Sequence, residues 1–166
     1  MARLHAVAVT APGAEPLDPD APAARTRPAR TGRGLTLLLI GLGGAVGTSI
    51  RAALEGAYPS AVGAWPWATF FINVSGAFVL AVLLETLSVT GPDEGWRRRV
   101  RFGVGTGLLG GYTTYSTFMV EAARLGRSGA YLTAFGYTTV SLVLGFAAAL
   151  AGMLAVAALH RRWAHT

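Results

Sequence analysis

The chain has 166 residues, 52% of them hydrophobic and 13% charged, about half the charged share of a soluble domain, so lipid is the expected solvent. It contains no Cys, which excludes thiolate catalysis, disulfides and Cys-based metal sites. The net charge of +6 comes from 14 Arg with no Lys; because these flank apolar runs and no aromatic-basic face accompanies them, they read as topology signals at a membrane surface, not as a nucleic-acid patch.

Residues 1 to about 33 are rich in Ala, Pro and Arg and hold no stretch able to build a core, the composition of a disordered tail. The run Leu4 to Val9 is too brief for the core of a signal peptide, so no cleaved leader is expected. Four long apolar segments follow, at about 35–54, 66–84, 102–120 and 130–159. A helix needs about 20 apolar residues to cross the hydrocarbon core, and each segment suffices. The runs are continuous instead of alternating, which disfavours strands. The predicted fold is an all-α membrane protein with a four-helix transmembrane domain over 34–162. Trp65, Trp67, Trp96 and Trp163 fall at segment boundaries, where amphipathic rings favour the headgroup layer. Pro66 suits the first turn of a helix.

In the first segment the lone charge is Arg51, near its end. Gly43 and Gly47 there, and Gly103, Gly107 and Gly111 in the third, recur every four residues, which lets helix backbones approach closely in a membrane. Four small helices enclose little interior, so an oligomer is expected. In the second segment Thr69 and Asn73 share one helical face. An Asn inside the membrane either bonds a neighbouring helix or lines a cavity, and both readings stay open.

The third segment is the unusual one. Gly105-Thr106-Gly107-Leu108-Leu109-Gly110 spells GxGxxG, but without a preceding strand or a later ribose-binding acid it is no dinucleotide site. From Gly110 to Phe118 two adjacent Gly are followed by Thr113, Thr114, Ser116 and Thr117 interleaved with Tyr112, Tyr115 and Phe118. Gly and Thr weaken a helix, so a break near Gly110 to Thr114 is predicted. Broken backbone at membrane depth must be buried or face a wet cavity, where freed carbonyls suit a cation and freed N–H groups or hydroxyls an anion. A continuous helix with Thr and Ser bonded to their own carbonyls is the alternative. In the fourth segment Thr133, Tyr137 and Ser141 form a hydroxyl stripe at helical spacing, suited to helix packing or to a polar path. No HExxH, Walker lysine or paired intramembrane carboxylates occur, and His5, His160 and His165 lie in the tail or near the end, so no enzyme is expected.

Three blocks make the chain resemble the CrcB/Fluc family of fluoride ion channels. They are Gly43-Gly44-Ala45-Val46-Gly47-Thr48-Ser49-Ile50-Arg51, Trp67 to Phe78 around Asn73, and Gly110-Gly111-Tyr112-Thr113-Thr114-Tyr115-Ser116-Thr117-Phe118. Tyr137, Ser141 and Leu144-Gly145 add a weaker match, and the likeness covers about residues 35 to 155. The resemblance implies passive export of fluoride from the cytoplasm, relieving its toxicity. It implies an antiparallel, dual-topology type of dimer in the cell membrane with two narrow pores. By motif position the fluoride path would use Asn73, Tyr115 and Phe118, extended by Thr69, Ser116, Thr117, Tyr137 and Ser141. A structural sodium ion at the dimer centre would be held by backbone carbonyls of Gly110 and Thr113. Fluoride is strongly hydrated and needs many donors, and aromatic ring edges carry the positive part of the quadrupole. The sequence departs from the family at Tyr115, where the first Phe of the family's pair would stand.

Two rival classes are weighed against this. A small multidrug-type antiporter needs a titratable carboxylate deep in the membrane, whereas Glu55, Glu85 and Glu121 read as lying at or near segment ends. A non-transporting scaffold leaves Asn73 and the Gly110–Phe118 block unexplained. With four crossings, Arg25, Arg27, Arg30, Arg33, Arg97, Arg98, Arg99, Arg101, Arg161 and Arg162 share one side, against Arg51, Arg124 and Arg127 on the other. That bias predicts both termini in the cytoplasm. A chain of fixed orientation implies a second, similar subunit of opposite bias as its antiparallel mate.

Overall fold

The structure, a computed structural model, describes residues 31–164. The stretch read as a tail, with its Arg25, Arg27 and Arg30, lies outside the described residues apart from its last few positions, as do the side chain of Trp163 and all of His165. Every regular element among the described residues is helical. Helix α1 spans Thr31–Ala57, α2 Trp67–Thr90 and α3 Gly95–Val100. α3 runs on through a π-helical stretch, Arg101–Leu109, into α4, Gly110–Tyr112; after an extended corner come α5, Ser116–Arg127, and α6, Tyr131–Ala164.

The helices overrun the apolar segments because hydropathy marks where lipid ends, whereas breaker residues mark where a helix ends. α2 passes Glu85 and stops at Gly91, which takes φ 138° before Pro92. Trp67 is the first residue of α2, with Pro66 just outside as its cap. Among the described residues three helices are long and apolar enough to cross a membrane: Gly32–Ala57, Trp67–Thr90 and Tyr131–Arg162. Their large side chains lie open, with Leu132 87% and Phe146 78% exposed. Apolar surface of that extent needs lipid or a partner against it.

The break falls at Thr113–Tyr115, overlapping the C-terminal part of the predicted stretch Gly110 to Thr114. Gly110 and Gly111 stay helical, and Gly111, like Gly47, serves packing. A Cβ on Gly47 would collide with the Leu108 carbonyl, and one on Gly111 would approach Gly44 and reach the Thr48 hydroxyl at 3.1 Å. α1 therefore packs backbone to backbone against the π-helical stretch and α4. On the other flank α2 packs along α6, where a Cβ on Gly152 would stand 2.8 Å from the Phe78 carbonyl. Where α5 meets α2 and α6, Phe70, Phe118, Leu125 and Tyr137 form a small buried cluster with Trp65 packed against it.

Candidate functional site

The corner at Thr113–Tyr115 is held by side chains from α1 and α2. Thr113 keeps the last helical bonds, its N–H and its hydroxyl both donating to the Leu109 carbonyl at 3.0 Å. Thr113 itself is then extended, φ −76° and ψ 156°. The Asn73 side chain closes on the next peptide from both sides: its Nδ2 donates to the Thr114 carbonyl at 2.9 Å, and Thr114 N–H donates to its Oδ1 at 2.8 Å. The Thr114 hydroxyl starts α5, accepting Thr117 N–H at 3.1 Å, as a helix cap does. From α1, Arg51 Nε and the Thr48 hydroxyl both donate to the Gly111 carbonyl, at 3.2 and 3.4 Å.

These substitutions leave two carbonyls without their helical donors. An unbroken helix would aim Thr114 N–H at Gly110 and Thr117 N–H at Thr113. Here the first goes to Asn73 and the second to the Thr114 hydroxyl. The C-terminal end of one half-helix and the N-terminal end of another thus meet at one corner, carbonyls on one side and N–H groups and hydroxyls on the other.

The residues expected along a polar path fall into three groups. Asn73, Tyr115, Phe118 and Ser141 line one open cavity of about 340 Å³, together with Thr113 and Thr114. Ser141 Oγ is buried there with no hydrogen-bond partner, an orphan donor of a kind that folded chains rarely leave. Thr69 and Tyr137, both fully buried, donate instead to the two oxygens of Glu121, at 2.9 and 2.8 Å. Ser116 and Thr117 gather around the Thr114 hydroxyl at 3.2 and 3.1 Å, and Arg51 Nη1 approaches Thr117 at 3.4 Å. Phe118 joins the first two groups, its ring 6.3 Å from that of Tyr115 and 5.1 Å from that of Tyr137.

Residues 38–153 match the family described as CrcB-like protein, Camphor Resistance (CrcB). The chain belongs to the CrcB-like family. It is 50% identical over 107 residues to the fluoride-specific ion channel FluC 1 of Cutibacterium acnes, covering 64% of this chain and 75% of that one. It is 47% identical over 126 residues to FluC 2 of Leifsonia xyli, covering 76% and 86%. The FluC channel of Caulobacter vibrioides matches at 40% over 125 residues, 71% of this chain and 92% of that one. These relatives are named as channels, a class that carries no enzymatic activity.

Within this CrcB-like chain, sequence reasoning missed three residues of the site. Glu121, read as a segment-end acid, stands in the second turn of α5 as the acceptor for two buried hydroxyls. Arg51, read as a charge near a segment end, folds onto the corner and also lies 3.7 Å from Glu55. Thr114, passed over in favour of its neighbours, ties Asn73 to α5. Arg51 as the lone charge of the first apolar run, and Glu121 as the acid next to the hydroxyl-rich third, were the available signals. Tyr115, read from the sequence as a departure from the resembled pattern, is 74% exposed on the single chain, which leaves room for its hydroxyl.

Proposed function

We propose that this chain is one subunit of a fluoride-selective channel that lets the anion leave the cytoplasm passively and so relieves its toxicity. The observation that carries the reading is the cavity at the broken helix. It sets the amide of Asn73, the rings of Phe118 and Tyr115 and the unpartnered Ser141 hydroxyl around one space. Nδ2 of Asn73 spends one hydrogen on Thr114 and has a second for an anion. From there the path runs past Phe118 and alongside Tyr137 and Thr69, whose hydroxyls hold the Glu121 carboxylate away from it. It ends in a wider cavity of about 410 Å³ lined by Ser60, Glu121, Arg124 and Arg127. In this reading the third segment crosses the membrane as two half-helices, giving four crossings.

A dimer in antiparallel arrangement, in the cell membrane, completes the assembly. What supports a structural sodium ion at its centre is the donor set. The Gly110 and Thr113 carbonyls lack helical donors, lie at the negative end of a half-helix, and suit a hard cation. Such an ion would lower the cost of holding an anion nearby. The Arg bias and Tyr115 favour a mate that is a second, similar subunit, and relatives named FluC 1 and FluC 2 fit chains that occur in more than one form.

Fluoride release from liposomes, read with an ion-selective electrode, tests the proposal. The protein, with its partner subunit where one is required, should empty fluoride and retain chloride. Ser141→Asp should abolish release, since a carboxylate in the cavity repels the anion and loses hydration there. Ser141→Ala should be about 1 kcal/mol more stable than the parent, because an unsatisfied hydroxyl is removed. Equal loss of chloride, or unchanged release from Ser141→Asp, refutes the path.

A further inference from the structure

We infer that a phospholipid with an anionic headgroup binds in the groove between α1 and the start of the third segment. This rests on the chain lying in a membrane, not on fluoride permeation. At one end of the bundle Arg33 from α1 meets Arg98 and Arg99 from α3 around a pocket of about 200 Å³. Their neighbours are already engaged: Arg97 donates to the Thr90 carbonyl at 2.7 Å, and Arg101 pairs with Asp93. The ion pairs among the described residues are Arg51–Glu55 and Arg101–Asp93, so neither Arg33, Arg98 nor Arg99 has an acid against it there. Three arginines around one pocket at a membrane surface set like charges together with no acid to offset them, Arg98 standing besides over the Phe102 ring at 5.8 Å, and a basic pocket between helix ends suits a lipid phosphate.

The pocket does not stand alone. It continues, through the shared residues Leu35 and Arg99, into an apolar groove of about 530 Å³. Leu39 and Val46 line one wall of the groove and Val104 and Leu108 the other, with Gly43 and Gly103 between them. Those two glycines form its floor, where α1 and the third segment touch so closely that a Cβ on Gly43 would run into the Gly103 carbonyl. From Leu35 to Val46 the groove follows about 16 Å of helix axis. That is roughly half of the 30 Å hydrocarbon core, the depth one acyl chain of one leaflet occupies. A free phosphate would use the guanidiniums and leave the groove unexplained, whereas a lipid uses both.

Native mass spectrometry of the protein released from micelles doped with phosphatidylglycerol or phosphatidylcholine of equal chain length tests this. The parent should retain one phosphatidylglycerol per chain and shed phosphatidylcholine. Replacing all three arginines (Arg33→Gln, Arg98→Gln, Arg99→Gln) should weaken that retention roughly a hundredfold, each basic residue near a surface being worth about fivefold. Val104→Trp, at an exposed wall position, should lower retention with the charge untouched, which decides the matter even where the triple variant folds poorly. Equal retention of the two lipids, unchanged retention in Val104→Trp, or inorganic phosphate competing the lipid away would overturn the inference. So would efficient disulfide cross-linking of Val46→Cys between copies of this otherwise Cys-free chain, which would give the groove to a second protein.

Discussion

Glu121 is the acceptor for two hydroxyls that have no water to turn to, since Thr69 and Tyr137 are both fully buried. Removing the carboxylate strands both donors, at about 1–3 kcal/mol each. Glu121→Ala should therefore lower the thermal midpoint in detergent markedly, while Glu121→Gln, which keeps one acceptor oxygen, should lose less. Equal midpoints for the two variants would mean that the hydroxyls find other partners. The same arithmetic bears on Asn73. Its amide satisfies both backbone polar groups of Thr114, so Asn73→Asp would set an oxygen against the Thr114 carbonyl as well as a charge in the path. Loss of flux in that variant mixes misfolding with blocked permeation, and Ser141, bonded to nothing, separates the two. Tyr115→Phe restores the family's ring without the hydroxyl and should raise fluoride release per subunit; unchanged release would show that the phenol is no obstacle.

At the scale of the element, the third segment is governed by its contact with α1. The π-helical stretch Arg101–Leu109 is wide and poor in side chains at Gly103, Gly105 and Gly107. π-helical turns of this kind cluster at functional sites, and here one leads straight to the break. Substitutions in α1 should divide sharply by which neighbour they face. Gly47→Ala drives a methyl into the Leu108 carbonyl, with Tyr112 N–H at 2.8 Å as the next neighbour, and should cost about 1–3 kcal/mol. Gly41→Ala meets nothing within 4 Å and should gain up to about 1 kcal/mol from helix propensity. Chemical denaturation in mixed micelles measures both, and a neutral Gly47→Ala would contradict the packing of α1 on the third segment.

For the whole molecule, the arrangement of charge is the decisive quantity. Arg33, Arg98 and Arg99 gather at one end of the bundle, and Arg124 and Arg127 line a cavity at the loop Ser60–Pro66. Arg51, counted in the sequence with the second group, is folded onto Gly111 and is no free surface charge, which leaves the opposite end poorer still. The chain should insert one way, with both termini in the cytoplasm. Reporter fusions at either terminus should give a cytoplasmic signal alone; equal cytoplasmic and external signals would refute a fixed orientation. Robust fluoride release from this chain purified without any partner would refute the heterodimer while leaving the channel intact.

Hydrophobic runs of sufficient length, the Trp at their ends, the four-residue glycine spacing and the Gly110–Phe118 block determined, without coordinates, that the chain is helical, lies in a membrane and belongs with the CrcB-like proteins. Those features are local, and period and composition are read one segment at a time. Helix ends were less legible, because α2 ignores Glu85 and stops only at Gly91. The break, read over Gly110 to Thr114, includes Thr113 and Thr114 but began too early, because Gly111's low helix propensity was weighed without its packing against Gly44 and Thr48. Only the tertiary structure brought Asn73 onto the Thr114 peptide, set Glu121 between Thr69 and Tyr137, and turned Arg51 onto Gly111. Each of these joins residues between 16 and 60 positions apart, and which polar group a buried donor finds depends on how the helices pack, a quantity that no single segment carries.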